Sequence, residues 1–208
     1  MTEAMAGELP NIPEAQVFFF RAIPNERVQR EIPVDALARL KRMQAYDING
    51  RAGAPLEGFL VMPRVNGSKT FVATSGTFEE GQKSPHSAYF VDTLGNEVLG
   101  YGEVIYSVPL HQKGEGRKTI RVMRPYVVWE ETFKEHQKEG WGMQRLRDMN
   151  AFCMRTYNMS LSSGPRLPKA AEDLWIALVA EGEAEEASPP GATSKWYQFV
   201  RTEVRKKK

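Results

Sequence analysis

The sequence predicts an α+β fold: an antiparallel β-meander sheet with helices packed on one face and a helical C-terminal half. Three observations predict it. Short runs of β-branched and aromatic residues, joined by tight turns, fill the chain between Gly58 and Trp129. Beyond Trp129 the apolar residues recur at helical spacing. Strands followed by helices, without strict alternation, belong to the α+β class.

The elements follow in order. Residues 1–15 hold Gly7, Pro10 and Pro13 with little periodicity and read as an irregular arm. Val17 to Ile23 is short, aromatic and bounded by Pro24, as a strand is. Asp35 can cap a helix carrying Leu37, Leu40 and Met43, which ends near Asn49-Gly50. Gly58–Val65 and Lys69–Thr74 flank Asn66-Gly67, a hairpin signal, because Asn-Gly accepts the positive φ of the tight turn. Ser75 to Ser84 is a polar loop. Ala88–Val91 is a strand ended by Leu94-Gly95-Asn96. Glu97–Pro109 and Lys118–Trp129 are two long β runs around the loop His111–Arg117. Strands joined by short connections pair antiparallel, which makes a meander.

The helical half begins with Glu130–Glu139, whose Glu130-Glu131 pair suits the positive end of a helix dipole. Gly140-Trp141-Gly142 should stop that helix. Met143, Leu146, Met149, Cys153 and Tyr157 then form an apolar stripe. Ser160–Pro168 is a loop, and Lys169–Ala180 a helix with Leu174, Ala177 and Leu178 on one side. The domain reading is an arm at 1–15, one α+β domain at 16–180, an acidic Pro/Gly linker at 181–194, and a C-terminal strand with a basic tail at 195–208.

Composition narrows the class. With 208 residues, 41% of them hydrophobic and 26% charged, the chain can bury a sizeable core and is not disordered as a whole. The single cysteine, Cys153, excludes an internal disulfide and a multi-cysteine zinc site. Met1–Asn11 carries Glu3 and Glu8 and no apolar run, so no secretory leader is expected there. Val17–Phe20 and Leu174–Ala180 are far shorter than the roughly 20 residues of a membrane span. The expectation is a cytoplasmic protein with no membrane partner.

Catalytic signatures are missing. Gly67-Ser68-Lys69-Thr70 resembles only the end of a phosphate loop: Ser68 stands where a glycine is needed, and Pro63 where the earlier one belongs. Gly100-Tyr101-Gly102 lacks a third glycine and lies within a β run. No Gly-x-Ser-x-Gly elbow occurs. His86, His111 and His136 have no second histidine one helical turn away, so no metal or other cofactor is expected. Cys153 lies on an apolar stripe and reads as a buried structural thiol. Glu103, mid-strand between Tyr101 and Ile105, would suit a general base on a buried face, but a solvent-facing position explains it.

The positive signal is charge segregation. Lys113, Arg117, Lys118, Arg121 and Arg124 cluster between His111 and Arg124 against Glu115 alone. Arg201, Arg205, Lys206, Lys207 and Lys208 form a second cluster, whereas residues 172–186 hold six acidic residues and no basic one. A basic hairpin with rings at Tyr106 and Tyr126 suits a nucleic-acid strand, since cations neutralise phosphates and rings stack on bases. Arg121 and Arg124 are three apart and face opposite sides of an ideal strand, which counts against a single binding face. The sequence therefore favours a non-enzymatic binding or assembly protein. Nucleic acid would be its partner through residues 97–129 and the tail residues Arg205, Lys206, Lys207 and Lys208. The first alternative is a structural protein, as in a virus or mobile element, that docks on itself or another protein through its N-terminal arm and C-terminal segment. The second is an enzyme with an unrecognised site.

Overall fold

The computed structural model describes residues 20–45, 56–75, 87–110, 120–164, 167–188 and 195–201; for residue 57 and residues 107–110 and 120–123 the backbone alone is described. The fold is α+β, built on a six-stranded antiparallel meander in the order β1-β2-β3-β4-β5-β6. The strands are β1 (Arg21–Ala22), β2 (Leu56–Pro63), β3 (Ser68–Ser75), β4 (Ser87–Leu94), β5 (Glu97–Leu110) and β6 (Ile120–Thr132). Gly67 and Gly95 both hold positive φ, 83° and 60°, in the β2–β3 and β4–β5 turns, where glycine is free of the Cβ clash. The Asn66 side chain helps close the first turn by accepting the Ser68 backbone N–H at 3.0 Å.

Alternation along the strands gives the sheet two buried faces. Val72, Phe90, Val104 and Val127 face one cluster. Phe71, Ala73, Tyr89 and Val91 face the other. The first face is covered by helices α3 (Trp141–Tyr157) and α4 (Lys169–Ala180), through Leu146, Met149, Phe152, Trp175 and Leu178. The expected association of the C-terminal helices with one face is present. The short α1 (Val28–Glu31) and the longer α2 (Val34–Ala45) lie on the opposite face, where Val28, Ala36, Leu40 and Met43 are buried. The physical reason is in the strands. Positions 70–75 and 87–93 are buried without interruption, so both faces need a cover. Each large apolar side chain buried this way contributes about 1.5–3 kcal/mol.

Three local expectations change. Residues 130–132, read as a helix start, are the end of β6; only Lys134–His136 form a single 3-10 turn. The β pairing of Glu130, Glu131 and Thr132 with Gly102, Tyr101 and Gly100 outweighs their helix propensity. Gly140 therefore starts α3 instead of ending an earlier helix: it is the N-cap, at φ 84°. Finally, Ala184–Glu186, within the segment read as a linker, is strand β7, paired antiparallel with β8 (Tyr197–Phe199). The first strand reading survives here as Arg21–Ala22, while residues 1–19 lie outside the described residues.

The β7–β8 pair is joined to the meander by the extended segment Leu161–Ser163, which bonds to β8 through Leu161 and Ser163 and to β6 through Ser162. Ser162 bridges Tyr126 of β6 in parallel and Gln198 of β8 antiparallel. Val127 donates its N–H to the Ser162 carbonyl at 2.9 Å, and Ser162 donates to the Pro125 carbonyl at 3.0 Å. The chain from β6 through α3 thus returns to β6 in parallel, as a crossover that ends in a single bridge residue.

Candidate functional site: a cleft above a buried charge network

The crossover places a cleft at the C-terminal end of β6. It is about 570 Å³ and is bounded by the end of β6, the turn before α3, and the first turns of α3 and α4. Trp141, Met143 and Leu174 supply its apolar wall; Glu130, His136 and Lys138 supply polar side chains. Neither helix has a side-chain N-cap: Gly140 precedes α3 and Pro168 precedes α4. Their first backbone N–H groups and the positive ends of both helix dipoles border the cleft. Gly142 fits closely, since a Cβ there would lie 3.0 Å from Glu130 Oε1 and 3.0 Å from Leu174 Cδ1. A bulge lies just below. Val104 pairs with Val127, yet Glu103 pairs with Trp129, so Val128 is the extra residue on β6. Bulges re-aim the side chains that follow them.

Glu130 closes the floor, with a side-chain exposure of 7%. Arg145 Nη1 donates to Glu130 Oε1 at 2.5 Å and to the Glu131 carbonyl at 3.1 Å. Arg145 Nε donates to Asp92 Oδ2 at 2.7 Å. Asp92 Oδ1 in turn accepts from the Thr70 hydroxyl at 2.7 Å and from Arg64 Nη2 at 3.3 Å. Arg64 Nη2 also pairs with Asp148, which accepts the Gln144 amide at 3.0 Å. Three carboxyl groups and two guanidinium groups from β4, β6, α3 and the β2–β3 turn therefore meet inside the protein. Burial pushes the carboxyls of Glu130 and Asp148 upward, while Arg145 and Arg64 respectively pull them back down. Arg64 also reaches the cleft wall, its Cζ 5.8 Å from the Trp141 ring centroid.

The sheet makes room for this network with glycines. A Cβ on Gly100 would fall on the Arg145 guanidinium and within 2.5 Å of the Glu131 carbonyl; one on Gly102 would strike Met149. The Gly100-Tyr101-Gly102 sequence thus serves side-chain packing beneath α3.

The residues singled out by sequence are distributed differently. Lys113, Arg117, Lys118, Arg205, Lys206, Lys207 and Lys208, with His86 and His111, lie outside the described residues. The backbone of Arg121 pairs with Pro109 in the β5–β6 ladder. Arg124 is half-buried with its Cζ 5.9 Å from the Trp196 ring, and burial lowers its pKa. Tyr106 stacks on Tyr157 of α3, ring centroids 4.5 Å apart. Tyr126 is half-buried beside Gly164. His136 pairs with Glu97 at 3.1 Å and lines the cleft. Cys153 is fully buried, and burial raises its thiol pKa. Glu103 is not solvent-facing: it is buried and accepts the Trp129 indole N–H at 2.7 Å. Among the described residues no group of His, Cys, Asp and Glu side chains could hold a metal, and no helix is long and apolar enough to cross a membrane.

The cleft residues had a sequence signal. Gly140-Trp141-Gly142 follows a β run and opens the helix that carries Arg145 and Asp148 one turn apart within its apolar stripe. Reading residues 130–139 as a helix turned that opening into a stop. No protein-family model matches the chain, and no curated protein matches its sequence.

Proposed function

We propose that the protein binds a small ligand with an anionic end and an apolar body, of the kind a pyrophosphate-bearing coenzyme represents, in the cleft at the end of β6. The observation that carries this reading is the cleft itself, which combines an apolar wall with a buried carboxyl group at its floor. A further feature supports it. Uncapped helix N-termini favour phosphate oxygens through backbone N–H groups and the helix dipole. The apolar body would lie on Trp141, Met143 and Leu174.

Thermal unfolding with ADP, NAD, coenzyme A or inorganic pyrophosphate, against adenosine, tests the reading. A ligand at 100 times its Kd stabilises the native state by about 2.7 kcal/mol. The expected result is a rise in Tm with a pyrophosphate-bearing compound, abolished by Leu174→Arg in a variant that still folds. No rise with any of the four would sink the reading.

Nucleic-acid association through Lys113, Arg117, Lys118 and the basic tail is a separate proposal, resting on the segregation of charge in the sequence. Its test is electrophoretic retardation of single-stranded DNA and RNA across a salt series, since contacts to phosphate weaken steeply with salt.

A further inference from the structure

The buried network beneath the cleft holds more carboxyl groups than guanidinium groups. Asp92, Asp148 and Glu130 carry three negative charges when ionised, and Arg64 and Arg145 carry two positive ones. All five side chains are at most 10% exposed. An unbalanced buried charge is costly, and a carboxyl group in that position takes up a proton. Asp92 is the best-compensated of the three, with two guanidinium partners and the Thr70 hydroxyl. Asp148 accepts from Arg64 and Gln144, and its Oδ2 lies 2.8 Å from Thr70 Oγ1. Thr70 has one hydroxyl proton for two carboxyl neighbours. Glu130 has one guanidinium partner, Arg145, and hydrogen-bonding help from Thr132. It is also the only one of the three that lines the cleft.

We propose that Glu130 is a neutral carboxylic acid at physiological pH and presents a hydrogen-bond donor to an oxyanion in the cleft. The ligand-facing role rests on the reading above; the neutral state does not. Arg145 holds Oε1, which fixes the orientation of the carboxyl group beside Gly142. A carboxyl kept neutral by its surroundings can donate where a carboxylate would repel. The groups that bear on its titration are Arg145 from α3 and Asp92 from β4. Glu131, His136 and Lys138 share the cleft lining, and Leu174 of α4 adds no charge. Glu131 is turned away by its bond with the Tyr101 hydroxyl, and His136 by its pairing with Glu97. An anionic ligand at the first turn of α3 would add negative charge and hold the proton on Glu130 more firmly.

The test compares the full chain with its Glu130→Gln and Asp148→Asn variants. Tm is followed from pH 5 to 8 without ligand. Glutamine imitates the neutral acid and does not titrate. A proton kept by Glu130 in the native state and lost in the unfolded state makes wild-type stability fall against Glu130→Gln as pH rises. The expected loss is about 3 °C per pH unit. Parallel curves would overturn the proposal, and so would a divergence confined to Asp148→Asn. In a second arm at pH 7, NAD should bind wild type and Glu130→Gln, which also presents a donor, alike, and should bind Glu130→Met, which presents none, about tenfold more weakly. If Glu130→Met shows a cooperative thermal transition and binds NAD as tightly as wild type, the donor role is overturned while the cleft reading stands. Failure of every pyrophosphate compound to bind, with the Tm divergence present, removes the cleft reading and the donor role but leaves the neutral acid.

Discussion

Arg145 of α3 donates through Nε to Asp92 of β4 at 2.7 Å, and both side chains are entirely buried. This contact joins α3 to the middle of the sheet, at the centre of the buried charge network. Removing one partner of such a pair strands the other charge in a low-dielectric interior. Arg145→Met is expected to destabilise the protein by about 3–5 kcal/mol in urea unfolding. Combined with Asp92→Asn, the cost should be well below the sum of the two single losses, since contacting residues couple.

Gly100 and Arg145 occupy the same space from opposite sides. Gly100→Ala would drive a methyl group into the guanidinium and the Glu131 carbonyl. Backbone on one side and an arginine held through its Nε and Nη1 on the other leave little room to yield. A loss of about 1–3 kcal/mol is expected from chemical denaturation. A Tm unchanged from wild type would contradict the packing described.

Gly140 caps α3 at φ 84°, with nothing within 4 Å of where a Cβ would stand. The penalty for Gly140→Ala is therefore purely conformational, about 1–2 kcal/mol. Gly142→Ala differs in kind, because its methyl would press on Glu130 and Leu174 across the cleft floor. Ligand affinity should suffer more at Gly142 than at Gly140 for a comparable change in Tm.

Trp175 is almost fully buried and holds the β7–β8 pair against α4, its ring 5.3 Å from that of Phe199 and 6.2 Å from that of Tyr197. Trp175→Ala should cost about 3–5 kcal/mol. Hydrogen exchange at the amides of Tyr197 and Phe199 should accelerate more than exchange in β3 and β4. Equal acceleration everywhere would show that the pair unfolds only with the whole domain.

Arg147 grips Glu183 with bonds of 2.7–3.2 Å and Glu181 at 2.6 Å, at the junction of α3 with the turn before β7. Its hydrogen bonds hold the Glu183 carboxyl below its ordinary value of 4.5. The stabilisation is therefore present above about pH 4.5 and is lost as pH falls through the lowered value. Both side chains are near one-third exposed, so solvent screening limits the effect to less than about 1 kcal/mol. The Tm difference between wild type and Arg147→Leu should shrink on acidification from pH 5 to 3, and in high salt.

Local chemistry alone was enough for much of the architecture. Asn66-Gly67 and Leu94-Gly95-Asn96 announce turns because few residues accept positive φ there. The stripe from Met143 to Tyr157 and the run Lys169–Ala180 announce helices through apolar spacing. What tertiary structure decided was the meaning of the exceptions. Glu130-Glu131 have the composition of a helix start, yet pairing with β5 makes them strand. Gly100 and Gly102 follow no local rule until Arg145 is placed against them. Ser162 gains its role from two partners, 36 residues away on either side. Asp92, Arg145 and Asp148 look like ordinary surface charges in the sequence. Strand and helix periodicity say which residues share a face, but only the packing of distant segments says which faces lose water, and burial gives these charges their chemistry.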